Sequence, residues 1–263
     1  MLASHIVDGG RLRALVLELW QRTRMDWGFV TDRLATTFRK ETWIGSHERR
    51  FVSETLYGLV RHLRRIDAAL ARGRKAQRAP RDLERLLALL VLEGLIEPAR
   101  AASVMAELDW SAVTGIDAAI ARERKLVPRI ALSASLPDWL AERLAADWGN
   151  GASNEAERLA LALNRRAPMT VRANLLVASR DELAAELARA RIETSPGTWC
   201  DTALHVETRT NLFGLAAFTR GALEAQDEGS QLLADLAAAC GRGGAAAAAA
   251  RAPRLVIDLC AGA

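Results

Sequence analysis

Cysteine chemistry has little support in this sequence of 263 residues. The three cysteines are Cys200, Cys240 and Cys260, and no two of them form a Cys-x-x-Cys pair. No cluster of cysteine and histidine has the spacing of a zinc site. An odd, scattered set of this kind argues against a disulfide scaffold, and it predicts reduced thiols in a cytoplasmic protein.

Long apolar runs and aromatic residues are also scarce. Only 5% of the residues are aromatic, whereas 50% are hydrophobic and 26% are charged. No apolar run is long enough to cross a bilayer, and the N-terminus lacks the basic start and apolar stretch of a secretion signal. This balance excludes a disordered or fibrous chain. It predicts a soluble globular protein with no membrane partner, and we expect a monomer.

Positive charge is concentrated in the first half of the chain. Residues 1–130 contain 23 Lys and Arg against 16 Asp and Glu, whereas residues 131–263 contain 13 against 16. A basic N-terminal half indicates contact with a polyanion. Solvated, arginine-rich helix faces would give the same numbers, so charge alone leaves both interpretations open.

Helical periodicity runs through residues 1–130. The clearest helix follows Ser46, a candidate N-cap, and its apolar residues recur at alternating steps of three and four. These apolar residues are Leu56, Leu59, Leu63, Ile66 and Leu70. Further helices are expected over residues 29–38, 83–95, 98–108 and 116–124. The pattern predicts a compact all-α bundle.

Basic side chains occupy other faces of the helix after Ser46 and the turn that follows it. Phosphate contacts dominate the affinity of proteins for nucleic acid, so these side chains are candidates for binding the phosphates of a nucleic acid. A solvated helix face is the alternative. The candidates are Arg61, Arg64, Arg65, Arg72, Arg74 and Lys75.

Residues 131–225 change in character. Pro128 and residues 133–137 mark a linker, and the alternation over residues 169–175 predicts a strand. A capping box, in which a serine hydroxyl and a glutamate carboxylate satisfy backbone donors, is predicted at residues 179–182. Short strands are expected at 191–194, 203–206 and 222–226. The order indicates a small α+β unit.

Three tryptophans, Trp20, Trp139 and Trp148, lie on apolar helical stripes. Residues with this spacing usually face a core, so we expect all three to be buried.

The last residues combine an apolar strand with a turn of small residues. A helix is expected over residues 231–239, then an alanine-rich stretch over 241–252, then a strand over 255–259. An apolar strand that ends in an acidic residue and a small-residue turn is typical of a Rossmann-like nucleotide site. The turn contains one glycine and no Gly-x-Gly-x-x-Gly motif, so a buried strand without a ligand is an open alternative.

Four stretches carry a family resemblance. Gln226–Ser230 followed by Leu255–Ala263 resembles the approach to the first S-adenosylmethionine motif of the RsmB/Sun (Fmu) family of RNA (cytosine-5) methyltransferases. Leu136–Leu140 is similar to the family's S-x-P-x-W-L segment, and Pro168–Asn174 to its P-x-x-x-R-x-N segment. Glu48–Arg61 is similar to a stretch of its NusB-like helical domain. The resemblance covers nearly the whole chain in the family's domain order.

The resemblance implies a multidomain protein. It would begin with an all-α NusB-like RNA-binding bundle over residues 1–130 and continue with an α+β adaptor domain over 131–225. Residues 226–263 would be the truncated start of an α/β Rossmann-like methyltransferase domain. Its last strand would lack neighbours, so we expect the final twenty or so residues to be poorly ordered.

The implied function is methylation of cytosine C5 in ribosomal RNA, with S-adenosylmethionine as the cofactor. Arg172 and Asn174 would face the RNA, although a solvated strand face is the alternative. The implied cofactor contacts are Cys260, Ala261, Gly262 and Ala263, for which a frayed C-terminus is the alternative.

The family's two working cysteines lie in P-C-S-G and T-C-S motifs, and neither motif occurs here. We therefore expect this chain to be inactive alone, with its catalytic residues beyond residue 263. A non-enzymatic RNA-binding or antitermination module and the product of a degraded gene are the rival interpretations.

Overall fold

The computed structural model describes residues 2–75, 78–149, 154–208 and 210–240. The chain divides between Arg165 and Arg166 into two compact units. The alanine-rich stretch, the strand expected over 255–259 and the turn after it lie outside the described residues. Among the helices of the described ranges, none combines the length and apolarity needed to cross a bilayer.

Helices make up the regular structure described in the first unit. They are α1 (Leu2–Asp8), α2 (Arg11–Asp26), α3 (Val30–Lys40), α4 (Ser46–Gly73), α5 (Asp82–Leu92), α6 (Pro98–Ala102), α7 (Trp110–Thr114), α8 (Ile116–Arg122), α9 (Leu126–Ser133), α10 (Asp138–Trp148) and α11 (Glu155–Leu163). The helical character expected of the first half is therefore present.

Two hydrophobic cores stabilise this unit. The larger core joins buried residues of α1 to α8, and Leu56, Leu59, Ile66 and Leu70 of α4 lie fully within it. A smaller core joins α9, α10 and α11. Trp20 is buried as expected, and its indole nitrogen donates to Asp82 at 3.1 Å.

The other two tryptophans correct our expectation. Trp139 is 68% exposed and Trp148 is 52% exposed, because α10 turns Ala141 and Leu144 toward the core instead. An aromatic residue on a helical stripe therefore did not identify the buried face of this helix.

Three local predictions in the first unit were wrong. Ser46 makes no capping hydrogen bond, and Gly45 is the N-cap of α4. Pro128 lies inside α9, where a first-turn proline is tolerated because the amide there has no helical acceptor. The helix expected over 98–108 ends at Ala102, and the carbonyl of Met105 accepts instead from the indole of Trp110 at 3.0 Å.

The second unit is an α+β structure, as the alternation of patterns predicted. Its elements are β1 (Met169–Ala173), α12 (Arg180–Arg189), β2 (Thr194–Pro196), β3 (Ala203–Val206), a 3-10 helix (Leu212–Gly214), α13 (Ala216–Thr219), β4 (Leu223–Ala225) and α14 (Glu228–Cys240). The strands form one antiparallel sheet in the order β2-β3-β1-β4.

Local chemistry explains how α12 begins and ends. The predicted capping box is present: the Ser179 hydroxyl accepts from the Glu182 amide, and the Glu182 carboxylate accepts from the Ser179 amide. At the other end Arg191 adopts a left-handed conformation with φ 61°, and the Ile192 amide donates back to Leu187. This helix stop delays β2 to Thr194, which is why the strand expected over 191–194 lies later in the chain.

Candidate nucleic-acid interface

Two of the arginines predicted to bind RNA fasten parts of the first unit together. Arg64 donates to the carbonyl of Leu136 at 2.9 Å and pairs with Asp138 at the start of α10. Arg65 pairs with Asp117 of α8 at 2.6 Å, and its backbone amide lies 3.3 Å from the hydroxyl oxygen of Ser135. Both side chains are partly buried, so their geometry indicates a structural role. Their contact with RNA stays a prediction.

The contacts from α4 hold Ser135 in an unusual backbone conformation. It adopts a left-handed conformation with φ 55°, which a residue other than glycine, asparagine or aspartate rarely does. Its hydroxyl meets α4, and Leu136 beside it accepts from Arg64. The arginines of α4 therefore hold a strained turn between α9 and α10.

Arg61 lies on a different surface of α4. It is exposed, and among the described residues it has no hydrogen-bond or ion-pair partner. It lines a cleft of about 290 Å³ between α4 and the C-terminal end of α5, which we call the α4–α5 cleft. Gly58 lets the helices approach closely here, because a Cβ atom on it would lie 3.1 Å from a methyl carbon of Leu89.

The basic turn, which consists of Arg72 at the end of α4 and of Arg74, Lys75 and Arg78 after it, places four cations within residues 72–78. Arg72 donates to the Ala112 carbonyl at 3.3 Å, and Arg74 donates to the Leu70 carbonyl at 3.2 Å. Lys75 is exposed. A depression of about 180 Å³ is lined by Arg74, Lys75 and Arg78 and also by Leu108 and Glu107, whose carboxylate pairs with Arg81. Fixed guanidinium groups around a concave surface suit a phosphate group.

A buried carboxylate anchors this turn. Glu84, on the first turn of α5, is fully buried and accepts hydrogen bonds from the side chains of Arg78 and Arg81 and from the Arg81 amide. Burial alone would raise the pKa of Glu84, but the hydrogen bonds from Arg78 and Arg81 outweigh it and lower the pKa to about 2. The charge on Glu84 thus holds two arginines in place.

Gly73 fixes the point where α4 gives way to the basic turn. A Cβ atom there would lie 2.6 Å from a methyl carbon of Val113 and 2.7 Å from the carbonyl oxygen of Asp109. The Asp109 amide donates to the Gly73 carbonyl at 2.8 Å. Only a glycine lets the chain approach α7 this closely.

The predicted RNA-facing residues of the second unit take part in local structure. Arg172 of β1 pairs with Glu224 of β4, its register partner, at 3.3 Å. Asn174 donates to the Gly221 carbonyl at 2.9 Å and accepts from the Leu176 amide, so it shapes the turn after β1. Both side chains are partly exposed, and RNA contact by either stays a prediction.

A polar chain that the sequence analysis missed joins the sheet to α14. Thr170 and His205 face each other across β1 and β3 and share a hydrogen bond of 3.0 Å, and His205 Nε2 lies 3.4 Å from Glu228. Glu228 also accepts from the amides of Trp199 and Cys200. The Trp199 amide is the main reason that the pKa of Glu228 is lowered, against the opposing effect of burial. Thr170, His205 and Glu228 are far apart in the sequence, so no local sequence pattern predicted that they would meet.

The predicted cofactor contacts, Cys260, Ala261, Gly262 and Ala263, lie outside the described residues. Within the described ranges, no group of three or more His, Cys, Asp or Glu side chains could hold a metal ion.

Two comparisons with known proteins concern the fold of this chain. The family described as "Methyltr_RsmF/B-like, ferredoxin-like domain" matches residues 136–212. The chain also shares its fold with the crystal structure of PH0851: the TM-score is 0.51 at 16% identity, over 86% of this chain and 55% of that one. Residues 136–212 therefore match the ferredoxin-like domain of the RsmF/B-like class of methyltransferases, and the likeness to PH0851 concerns the fold alone.

Three curated relatives of this chain carry the same protein name. Ribosomal RNA small subunit methyltransferase B of Xanthomonas campestris is 30% identical over 201 residues, which is 72% of this chain and 45% of the relative. The protein of the same name from Xylella fastidiosa (strain Temecula1) is 32% identical over 47% of this chain and 28% of the relative. A probable methyltransferase of that name from Synechocystis is 26% identical over 72% of this chain and 47% of the relative.

The chain belongs to the RsmB/Sun family. It spans less than half the length of each of these three relatives.

Proposed function

We propose that this chain is the RNA-binding part of a methyltransferase that methylates cytosine C5 in small-subunit ribosomal RNA. We also propose that the protein is cytoplasmic and works as a monomer. The observation that carries the proposal is the 201-residue similarity to a relative named for that RNA. The basic turn supports it, because preorganised cations of this kind bind phosphates.

The family resemblance indicates the role that we propose for each of three segments of the chain. Residues 1–130 bind RNA through α4 and the basic turn, and residues 131–225 present the RNA to the catalytic domain. Residues 226–263 open that domain, in which Cys260–Ala263 contact S-adenosylmethionine, the source of the methyl group.

Cytosine C5 methylation of this type needs a thiolate that attacks C6 of the base and so makes C5 nucleophilic. Cys200 is poorly suited to that task, because its thiol is buried and its pKa is raised first by burial and then by nearby carboxylates. The motifs P-C-S-G and T-C-S do not occur in these 263 residues. We therefore place the nucleophile outside this sequence, and we propose that the chain binds RNA but transfers no methyl group alone.

One experiment tests both halves of this proposal. The purified chain is mixed with unmodified small-subunit ribosomal RNA and radiolabelled S-adenosylmethionine, and RNA retention and label incorporation are measured together. We expect retention without incorporation. Incorporation would overturn the placement of the nucleophile, and absence of retention would overturn the RNA-binding role.

The antitermination-type module is the second candidate, favoured by the self-contained core of the helical unit. A chain extended to the length of the relatives separates the two. Methylation by the extended chain supports the enzyme, whereas RNA binding without methylation by that chain supports the module.

A further inference from the structure

The α4–α5 cleft is a second concave surface of the helical unit, separate from the basic turn. Its apolar lining consists of Phe51, Leu89, Leu90 and Leu95, of which Leu89 and Leu90 are buried and Leu95 is exposed. Arg61 of α4 and Glu93 at the end of α5 contribute opposite charges to the lining. A second carboxylate, Glu54, also lines the cleft, but it accepts from Arg50 at 3.0 Å. A cleft with an apolar lining, a guanidinium and a carboxylate suits a flat, polar-edged ligand.

Charge excludes a phosphate as the main ligand of this cleft. Glu54 and Glu93 both line it, and Arg61 is the one arginine or lysine among its lining residues. His62 lies 3.9 Å from Glu93, and burial lowers the pKa of His62 although Glu93 opposes this effect. At 3.9 Å the imidazole is too far from Glu93 for a hydrogen bond, so the carboxylate oxygens of Glu93 are available as acceptors.

We infer that the α4–α5 cleft binds an unpaired guanine base of the RNA, an inference that rests on the proposed function. Unpaired bases of RNA are commonly read by stacking on aromatic rings and by hydrogen bonds to their edges. The Arg61 guanidinium matches the O6 and N7 acceptors of guanine, which is the commonest base contact of arginine. The Glu93 carboxylate accepts from the N1 and N2 donors of the same base. Phe51 supplies the apolar face on which the ring packs.

The other bases fit this pair of groups less well. Adenine, cytosine and uracil do not present two adjacent donor nitrogens to a carboxylate. Guanine alone offers two adjacent donors on one edge and two adjacent acceptors on another.

The test uses the full 263-residue chain and short single-stranded RNAs that differ only at one central base. We expect the oligonucleotide with central guanine to bind about tenfold more tightly than those with adenine, cytosine or uracil, as read by fluorescence anisotropy. Glu93→Gln keeps the shape and loses one acceptor, so it should reduce this preference to about twofold or less. Arg61→Ala should also remove the preference.

Arg122→Ala is the control for charge, because this exposed arginine of α8 does not line the cleft. It should lower binding to all four oligonucleotides equally. Thermal unfolding by circular dichroism identifies any variant that has lost its fold, and GMP added as a free competitor should displace the guanine oligonucleotide better than AMP or CMP.

The outcomes distinguish a failure of the guanine site from a failure of the proposed RNA-binding function. Binding of all four oligonucleotides with equal affinity would overturn the guanine site and leave the RNA-binding role standing. No binding of any oligonucleotide or of ribosomal RNA would overturn both. A preference for guanine that survives in Glu93→Gln and Arg61→Ala would place the reading of the base elsewhere.

Discussion

Arg64 reaches from the middle of α4 to the carbonyl oxygen of Leu136, 2.9 Å away, and its second nitrogen pairs with Asp138. The same arginine was a sequence candidate for phosphate contact. Its position shows that part of the basic character of α4 serves to attach the α9–α10 turn to the bundle. Part of the positive charge in this unit is therefore structural, and we propose that the basic turn keeps another part available to a ligand.

Removal of Arg64 should reduce stability. Arg64→Ala loses a partly buried hydrogen bond and an ion pair, so we expect the free energy of unfolding to fall by about 1–2 kcal/mol. Urea denaturation measures this, with Arg122→Ala as a control expected within about 0.5 kcal/mol of the parent. The structural role is contradicted if Arg64→Ala leaves stability unchanged while it weakens RNA binding more than Arg72→Ala does.

The charge on Glu84 should make the free energy of unfolding depend on pH in the acidic range. Because the pKa of Glu84 in the folded chain is about 2, below its ordinary value of 4.5, its contribution is complete above pH 4.5 and is lost as the pH falls toward 2. The shift corresponds to about 3 kcal/mol. Glu84→Gln should therefore be markedly less stable than the parent at pH 7, and the difference should shrink at pH 3. A difference that is constant from pH 7 to pH 3 would refute this account.

Gly73 should tolerate no side chain. Gly73→Ala places a methyl group within 2.6–2.7 Å of Val113 and of the Asp109 carbonyl, so we expect a loss of about 1–3 kcal/mol. Gly214→Ala is the matched control, since the nearest atom to its Cβ lies 3.6 Å away. Equal stability of the two variants in thermal unfolding would show that the end of α4 yields more easily than the structure implies.

Glu228 should hold the turn before β3. Glu228→Gln weakens the acceptor for the amides of Trp199 and Cys200, so hydrogen exchange at these two amides should speed up. Glu224→Gln, which affects an exposed pair with Arg172, should leave them unchanged. Unaltered exchange in Glu228→Gln would mean that other contacts hold this turn.

Local rules predicted a good part of the fold. The capping box at Ser179, the apolar seam of α4 and the strand at Ala203–Val206 all depend on neighbours in sequence, and all are present. Burial of Trp139 and Trp148 was predicted wrongly, because the pattern of one helix does not say which neighbour it packs against.

The candidate site was harder to predict for the same reason. Arg64 and Asp138 are 74 residues apart, and Glu228 lies 29 residues from Trp199. Sequence identifies such residues as charged but does not show which of them meet. Arg72 and Lys75 could be proposed because they lie three residues apart in one basic stretch, whereas the roles of Arg64 and Glu84 required the fold.

The salt dependence of RNA binding tests the central claim most directly. The logarithm of the affinity of the chain for single-stranded ribosomal RNA is measured against the logarithm of the salt concentration. The same is done for the triple variant Arg72→Ala, Arg74→Ala, Lys75→Ala. Each lost phosphate contact should reduce the slope by about 0.7, so we predict a slope shallower by about 2 and weaker binding at low salt. An unchanged slope and affinity in the triple variant would contradict the claim that the basic turn binds RNA.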